Sequence, residues 1–141
     1  MSDKIRVSII IENMETYIKE LEEMKIRKLE DLETIKFRAA SMDVFEIINK
    51  TIDLADEIVS MRKMGFPSEY KELFTMLRHA KIIDEKMEEK LKDLVILRNK
   101  ISHRYNVLTK QDIFSALKKI KIVEKFIEIV KKFVREFKTT K

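Results

Sequence analysis

A single glycine, Gly65, and a single proline, Pro67, stand two residues apart near the middle of a 141-residue chain. Tight hairpins draw on exactly those residue types, so this chain has little means of turning strand into strand. Lys, Glu, Ile and Leu are in excess, a balance that favours helix. The expectation is an all-α fold: an up-and-down bundle of about five helices, four long and one short, forming one domain over residues 1–141.

Periodicity places the helices. Val7, Ile11, Met14, Ile18 and Leu21 repeat in four-three steps, with Ile10, Tyr17 and Met24 widening the stripe, and predict a helix over about residues 4–26. A one-turn connector follows at Leu29–Leu32. From about Thr34 to Met64 the apolar positions wrap more than one face, the pattern of a central helix with several neighbours. Asn49, Asp53, Asp56 and Glu57 on this helix read as solvated or ion-paired surface.

Gly65-Phe66-Pro67-Ser68 is the clearest punctuation. Gly65 is placed to end the second helix in a left-handed cap, and Ser68 to cap a short helix near 69–80. Asp84 caps a fourth helix over about 85–106, and Thr109 with Asp112 forms a capping box opening a fifth. In the fifth, Ile120, Val123, Ile127, Val130, Val134 and Phe137 repeat, with Phe126 and Phe133 on a flank. The apolar faces of the first two helices exceed what one antiparallel neighbour covers, which predicts a homodimer.

One seam breaks its own rule. Met87, Leu91, Leu94, Ile101 and Leu108 follow the helical spacing, and Arg98 and Tyr105 occupy the two positions left over. An unpaired guanidinium is costly to bury, so Arg98 must reach a cleft, a carboxylate, a phosphate or a partner chain. Around it lie Asn99, Ser102 and His103, residues that hold or transfer protons. Arg98 and His103 are five residues apart, about 140° around an ideal helix. Their convergence needs either a distorted helix end or two copies of this helix meeting across a two-fold axis, and the second is favoured.

Other chemistries are poorly served. Without cysteine there is no disulfide, catalytic thiol or thiolate metal site, and His79 and His103 stand too far apart to suggest a metal ligand set. His79 reads as surface or helix-end structure. No glycine-rich phosphate loop is present, and no apolar run approaches a membrane span, so a cytoplasmic protein with no cofactor and no membrane association is expected. The net charge of +5 is uneven: residues 110–141 hold ten Lys/Arg against four Asp/Glu. Such a face suits RNA phosphates or an acidic partner, although lysine-rich solvated faces are common.

Arg98-Asn99-Lys100-Ile101-Ser102-His103-Arg104-Tyr105 resembles the R-N-x-x-x-H-x-Y signature of the HEPN superfamily, specifically the HepT-like toxins of MNT/HEPN toxin–antitoxin systems. The likeness extends over most of the chain, through Phe37-Arg38-Ala39-Ala40 and Gly65-Phe66-Pro67-Ser68 with Tyr70. It implies the toxin of a type VII module: a homodimeric, metal-independent endoribonuclease with Arg98 and His103 as catalytic pair in a cleft between protomers. Asn99 and Ser102 then support His103 or the substrate. It also implies an MNT-type nucleotidyltransferase antitoxin as partner, silencing the toxin by transferring AMP to Tyr105. The alternative is a non-catalytic dimeric module of the same class that binds RNA, a nucleotide or a partner without turnover. A purely structural scaffold ranks last, since it leaves Arg98 without a reason.

Overall fold

The structure is a computed structural model that describes residues 2–137. Met1 lies outside the described residues, as do Lys138 and Lys141, which the basic excess includes. Six α-helices follow in order: α1 (Asp3–Glu23), α2 (Thr34–Met61), α3 (Tyr70–His79), α4 (Glu85–His103), α5 (Lys110–Lys118) and α6 (Ile120–Glu136). Short 3-10 turns occupy Leu29–Asp31 and Tyr105–Val107, and there is no strand among the described residues. The all-helical expectation holds, with six helices among the described residues rather than five.

The extra helix arises because the expected fifth is two. The Thr109/Asp112 capping box opens α5 as anticipated, each side chain accepting from the other's backbone N–H at 3.1 and 2.9 Å. At Lys119 the chain tightens into a 3-10 turn, its N–H donating to Ala116 at 2.8 Å, and α6 starts at the next residue. The apolar spacing runs through this break because a tightened turn barely shifts the phase. Phe126, expected on a flank, is fully buried and meets Phe74 of α3 edge-on at 6.1 Å.

α2 is the axis of the bundle. It contacts all five other helices, and its buried residues span Ala40 to Met61 on a broad arc. α1 runs antiparallel to it: Arg6 pairs with Glu57 at 2.9 Å at one end, and Lys36 Nζ donates to the Met24 carbonyl at 3.1 Å at the other. α4 also lies antiparallel to α2, since Arg98 meets Asn49 and Tyr105 meets Phe37. The core joins α1 through Met14, α2 through Ile47, Leu54 and Ile58, α3 through Phe74 and α6 through Phe126. Full burial of such side chains contributes about 1.5–3 kcal/mol each.

Helices in this chain stop without glycine. Lys25, Lys63 and Lys81 each adopt a left-handed conformation, with φ of 52°, 51° and 62°. After α2, Met64 N–H reaches back to Val59 O at 3.0 Å and Lys63 N–H to Ser60 O at 3.1 Å, the paired bonds of a Schellman stop. The cap expected at Gly65 is therefore made by Lys63, and Gly65, at φ 98°, turns the loop that follows. Ser68 is likewise not the residue capping α3. Its backbone N–H and hydroxyl donate to Glu72, and the helix begins two residues later at Tyr70.

Candidate active site at the end of helix α4

α4 starts on Asp84, whose Oδ1 accepts from Met87 N–H at 2.8 Å, and buries Met87, Leu91, Leu94 and Val95. The seam places Arg98 one turn beyond Leu94, where α2 and the start of α3 converge on it. Its Nε–H donates to Asn49 Oδ1 at 2.8 Å, and Nη1 donates to Asn99 Oδ1 at 3.2 Å. The guanidinium carbon lies over the rings of Phe45 and Tyr70, 5.5 Å from each centre. The cation that interrupts the apolar seam is thus half-buried and solvated by an amide, a neighbouring amide and two aromatic faces rather than by a carboxylate.

Asn49 was read from the sequence as surface, and that reading is corrected by its bond to Arg98. Phe45 reads from the sequence only as helix packing and Tyr70 only as part of the family resemblance, and neither is tied there to Arg98. The only sequence signal was the requirement that Arg98 find a partner, and the antiparallel α2–α4 packing that supplies one joins residues 49 positions apart. The three acidic residues of the group behave as expected: Asp53 and Asp56 are exposed, and Glu57 is ion-paired with Arg6.

His103 is the last residue of α4 and is exposed, as are Asn99 and Ser102. The helix is regular through His103, so Arg98 and His103 stay about 140° apart around the axis. No hydrogen bond joins them among the described residues. A distorted helix end, one of the two routes to convergence, therefore does not operate within one chain. Distortion begins one residue later. Arg104 (φ −139°, ψ 42°) ends the helix, and Tyr105 turns away in the 3-10 segment. The expected helix to residue 106 is thus three residues too long, and Tyr105 leaves the seam. It packs on Phe37 of α2 with ring centres 6.4 Å apart, and 44% of it is exposed.

This helix end is anchored from below. Lys100 Nζ meets Asp112 Oδ2 at 2.8 Å, tying the last turn of α4 to the capping box of α5. Burial pushes the Asp112 carboxyl up, but the bonds from Lys100 and Thr109 outweigh it and hold the carboxyl below its usual range. Beside Arg98 a cleft of about 350 Å³ is lined by Pro67, Tyr70, Lys71, Val95 and Asn99 among others. His79 ends α3, exposed, with its Nε2 3.2 Å from Arg78 Nη2. Among the described residues, no cluster of His, Asp or Glu is placed to hold a metal, and no helix is long and apolar enough to cross a membrane.

A central helix flanked by antiparallel neighbours, with an arginine held in the last turns of the fourth helix, defines an all-α bundle with a cationic cleft. The chain belongs to the family described as Ribonuclease HepT-like, whose model matches residues 14–133. Among solved structures it resembles a tri-AMPylated Shewanella oneidensis HEPN toxin in complex with MNT antitoxin, with 21% identity over 94% of this chain and 99% of that one and a TM-score of 0.83. A tyrosine-to-alanine mutant of the toxin–antitoxin MntA-HpeT gives 20% identity, 89% and 98% coverage and a TM-score of 0.81. The cytosolic protein YutE of Bacillus subtilis, of unknown function, shares the fold at 15% identity, with 94% of each chain covered and a TM-score of 0.77. No curated protein matches the chain in sequence.

Proposed function

We propose that this chain is the toxin of an MNT/HEPN pair, a homodimeric and metal-independent endoribonuclease. The observation that carries the reading is a half-buried Arg98 guanidinium, fixed by amides and rings, on the same helix end as an exposed His103. RNA brings its own nucleophile. The 2′-OH attacks the adjacent phosphorus, its proton passes to a neutral imidazole, the 5′-oxygen leaves with a proton from an imidazolium, and a 2′,3′-cyclic phosphate remains. His103 suits either proton transfer, and Arg98 offers a permanent charge for the pentacoordinate phosphate.

A second copy of the chain supplies what one copy lacks. Arg98 and His103 diverge around a regular helix, so a cleft between two α4 ends brings one protomer's arginine toward the other's histidine. Met42 on α2, and Tyr105 and Val107 just beyond α4, remain 60%, 44% and 39% exposed, apolar surface toward this end of the bundle that suits such pairing. Asn99 and Ser102, both exposed near His103, take supporting roles.

Tyr105 is the proposed AMP acceptor for an MNT-type nucleotidyltransferase antitoxin. The phenol oxygen attacks the α-phosphorus of ATP, pyrophosphate leaves, and the phenolic proton goes to base or water. Its exposure and its place two residues beyond His103 support this, and the solved HEPN toxin with an MNT antitoxin is itself AMPylated. The decisive experiment is RNA cleavage in excess chelator by wild type, Arg98→Ala and His103→Ala, each checked for fold and dimer mass. Loss in both variants is expected. Full cleavage by both removes these residues from the mechanism, and RNA retained intact by wild type points to the non-catalytic module.

A further inference from the structure

Arg98 is gripped more firmly than charge alone would demand. Two of its five N–H donors are spent inside the protein, Nε on Asn49 and one Nη1 hydrogen on Asn99. The remaining three, on Nη1 and Nη2, meet no acceptor among the described residues and are left for an external one. Asn49 and Phe45 stand one turn apart on α2, Tyr70 opens α3, and the guanidinium carbon lies 5.5 Å from the centre of each ring. An arginine engaged in this way keeps few of its rotamers.

The acceptor is an amide, and that choice matters. A carboxylate at the same place would form a fork with Arg98 and compete with a phosphate for it. Asn49 accepts the Nε hydrogen without neutralising the charge. We infer that Asn49 is a positioning residue: it ties Arg98 through Nε so that the Nη edge faces an RNA phosphate, while Phe45 and Tyr70 set the plane. The inference deepens the nuclease reading and rests on Arg98 meeting the substrate phosphate.

The test has one arm that needs no activity. In nitrogen-edited NMR the Arg98 Nε–H of wild type exchanges slowly with solvent, and in Asn49→Ala it exchanges fast. Alanine is a good helix former, so this variant keeps α2 intact. In cleavage assays Asn49→Ala lowers kcat about 10-fold with KM little changed. Asn49→Asp retains the acceptor but raises KM and flattens the dependence of RNA binding on salt. Placed on Arg98→Lys, which cannot use the fork, Asn49→Ala costs no more than about twofold further.

A wild-type Nε–H in fast exchange overturns the inference. So do full activity of Asn49→Ala beside an impaired Arg98→Lys, and losses that simply multiply in the double variant. A fully active Arg98→Lys protein brings down the phosphate-contact reading and the inference together, a result distinct from the other three.

Discussion

Asp43 on α2 shares a hydrogen bond with Glu20 on α1, carboxyl against carboxyl across the contact between the two helices. Asp43 is buried, and burial, then the bond to Glu20 and its charge, push the Asp43 carboxyl up to about 7. The folded chain therefore holds this proton more tightly than the unfolded chain, where an aspartate titrates near ~3.9. The contact contributes fully below that value, and its contribution declines as pH rises to about 7. Asp43→Asn keeps a donor and removes the titration. Its melting temperature should exceed that of wild type by about 2–5 °C at pH 8 and converge with it near pH 4, as followed by circular dichroism.

Glu88 on α4 has the opposite sign. Burial pushes its carboxyl up, but bonds from Lys92 at 2.7 Å, Thr75 at 3.1 Å and Arg78 outweigh that and hold it below the usual range. Its contribution is present above the unfolded glutamate value of about 4.3 and is lost as pH falls through the folded one. Glu88→Gln should cost about 1–2 kcal/mol at neutral pH in denaturant unfolding, with the difference narrowing toward pH 3.

Lys63 holds a left-handed conformation that glycine adopts without a Cβ clash. Lys63→Gly should leave the stop of α2 intact and raise stability by about 0.5–1 kcal/mol in the same assay. A loss of similar size would mean that the lysine stem or charge at the helix end outweighs the backbone strain.

Tyr105→Phe keeps the ring on Phe37 and removes only the phenol oxygen. Co-expressed with an MNT-type nucleotidyltransferase, wild type should gain the mass of one or more AMP groups and the variant none, by intact-mass spectrometry. RNA cleavage by the variant should then persist in the presence of the antitoxin.

Much of this was legible in the residues. The stripe Val7, Ile11, Met14, Ile18, Leu21 is the buried face of α1, and Asp84 and Thr109 cap the helices they were expected to cap. Arg98 stood out because it broke an apolar pattern. Its surroundings were invisible for the same reason that Asn49 looked like surface: local spacing cannot report which helix lies alongside. The break at Lys119 left no trace because the apolar phase continues through it, and Lys63 concealed a helix stop because sequence reasoning assigns left-handed backbone to glycine first.

The grip on Arg98 draws on α2, α4 and the first residue of α3, and it is only as durable as the weakest of the three. Tyr70 follows directly on the loop that carries Gly65 and Phe66, the latter 98% exposed. Helix ends fray at temperatures where the interior of a bundle is still intact. Warming should therefore take the Tyr70 ring from the guanidinium before the helices melt, so that heat loosens the arginine on one side while the far-ultraviolet signal still reports a folded chain.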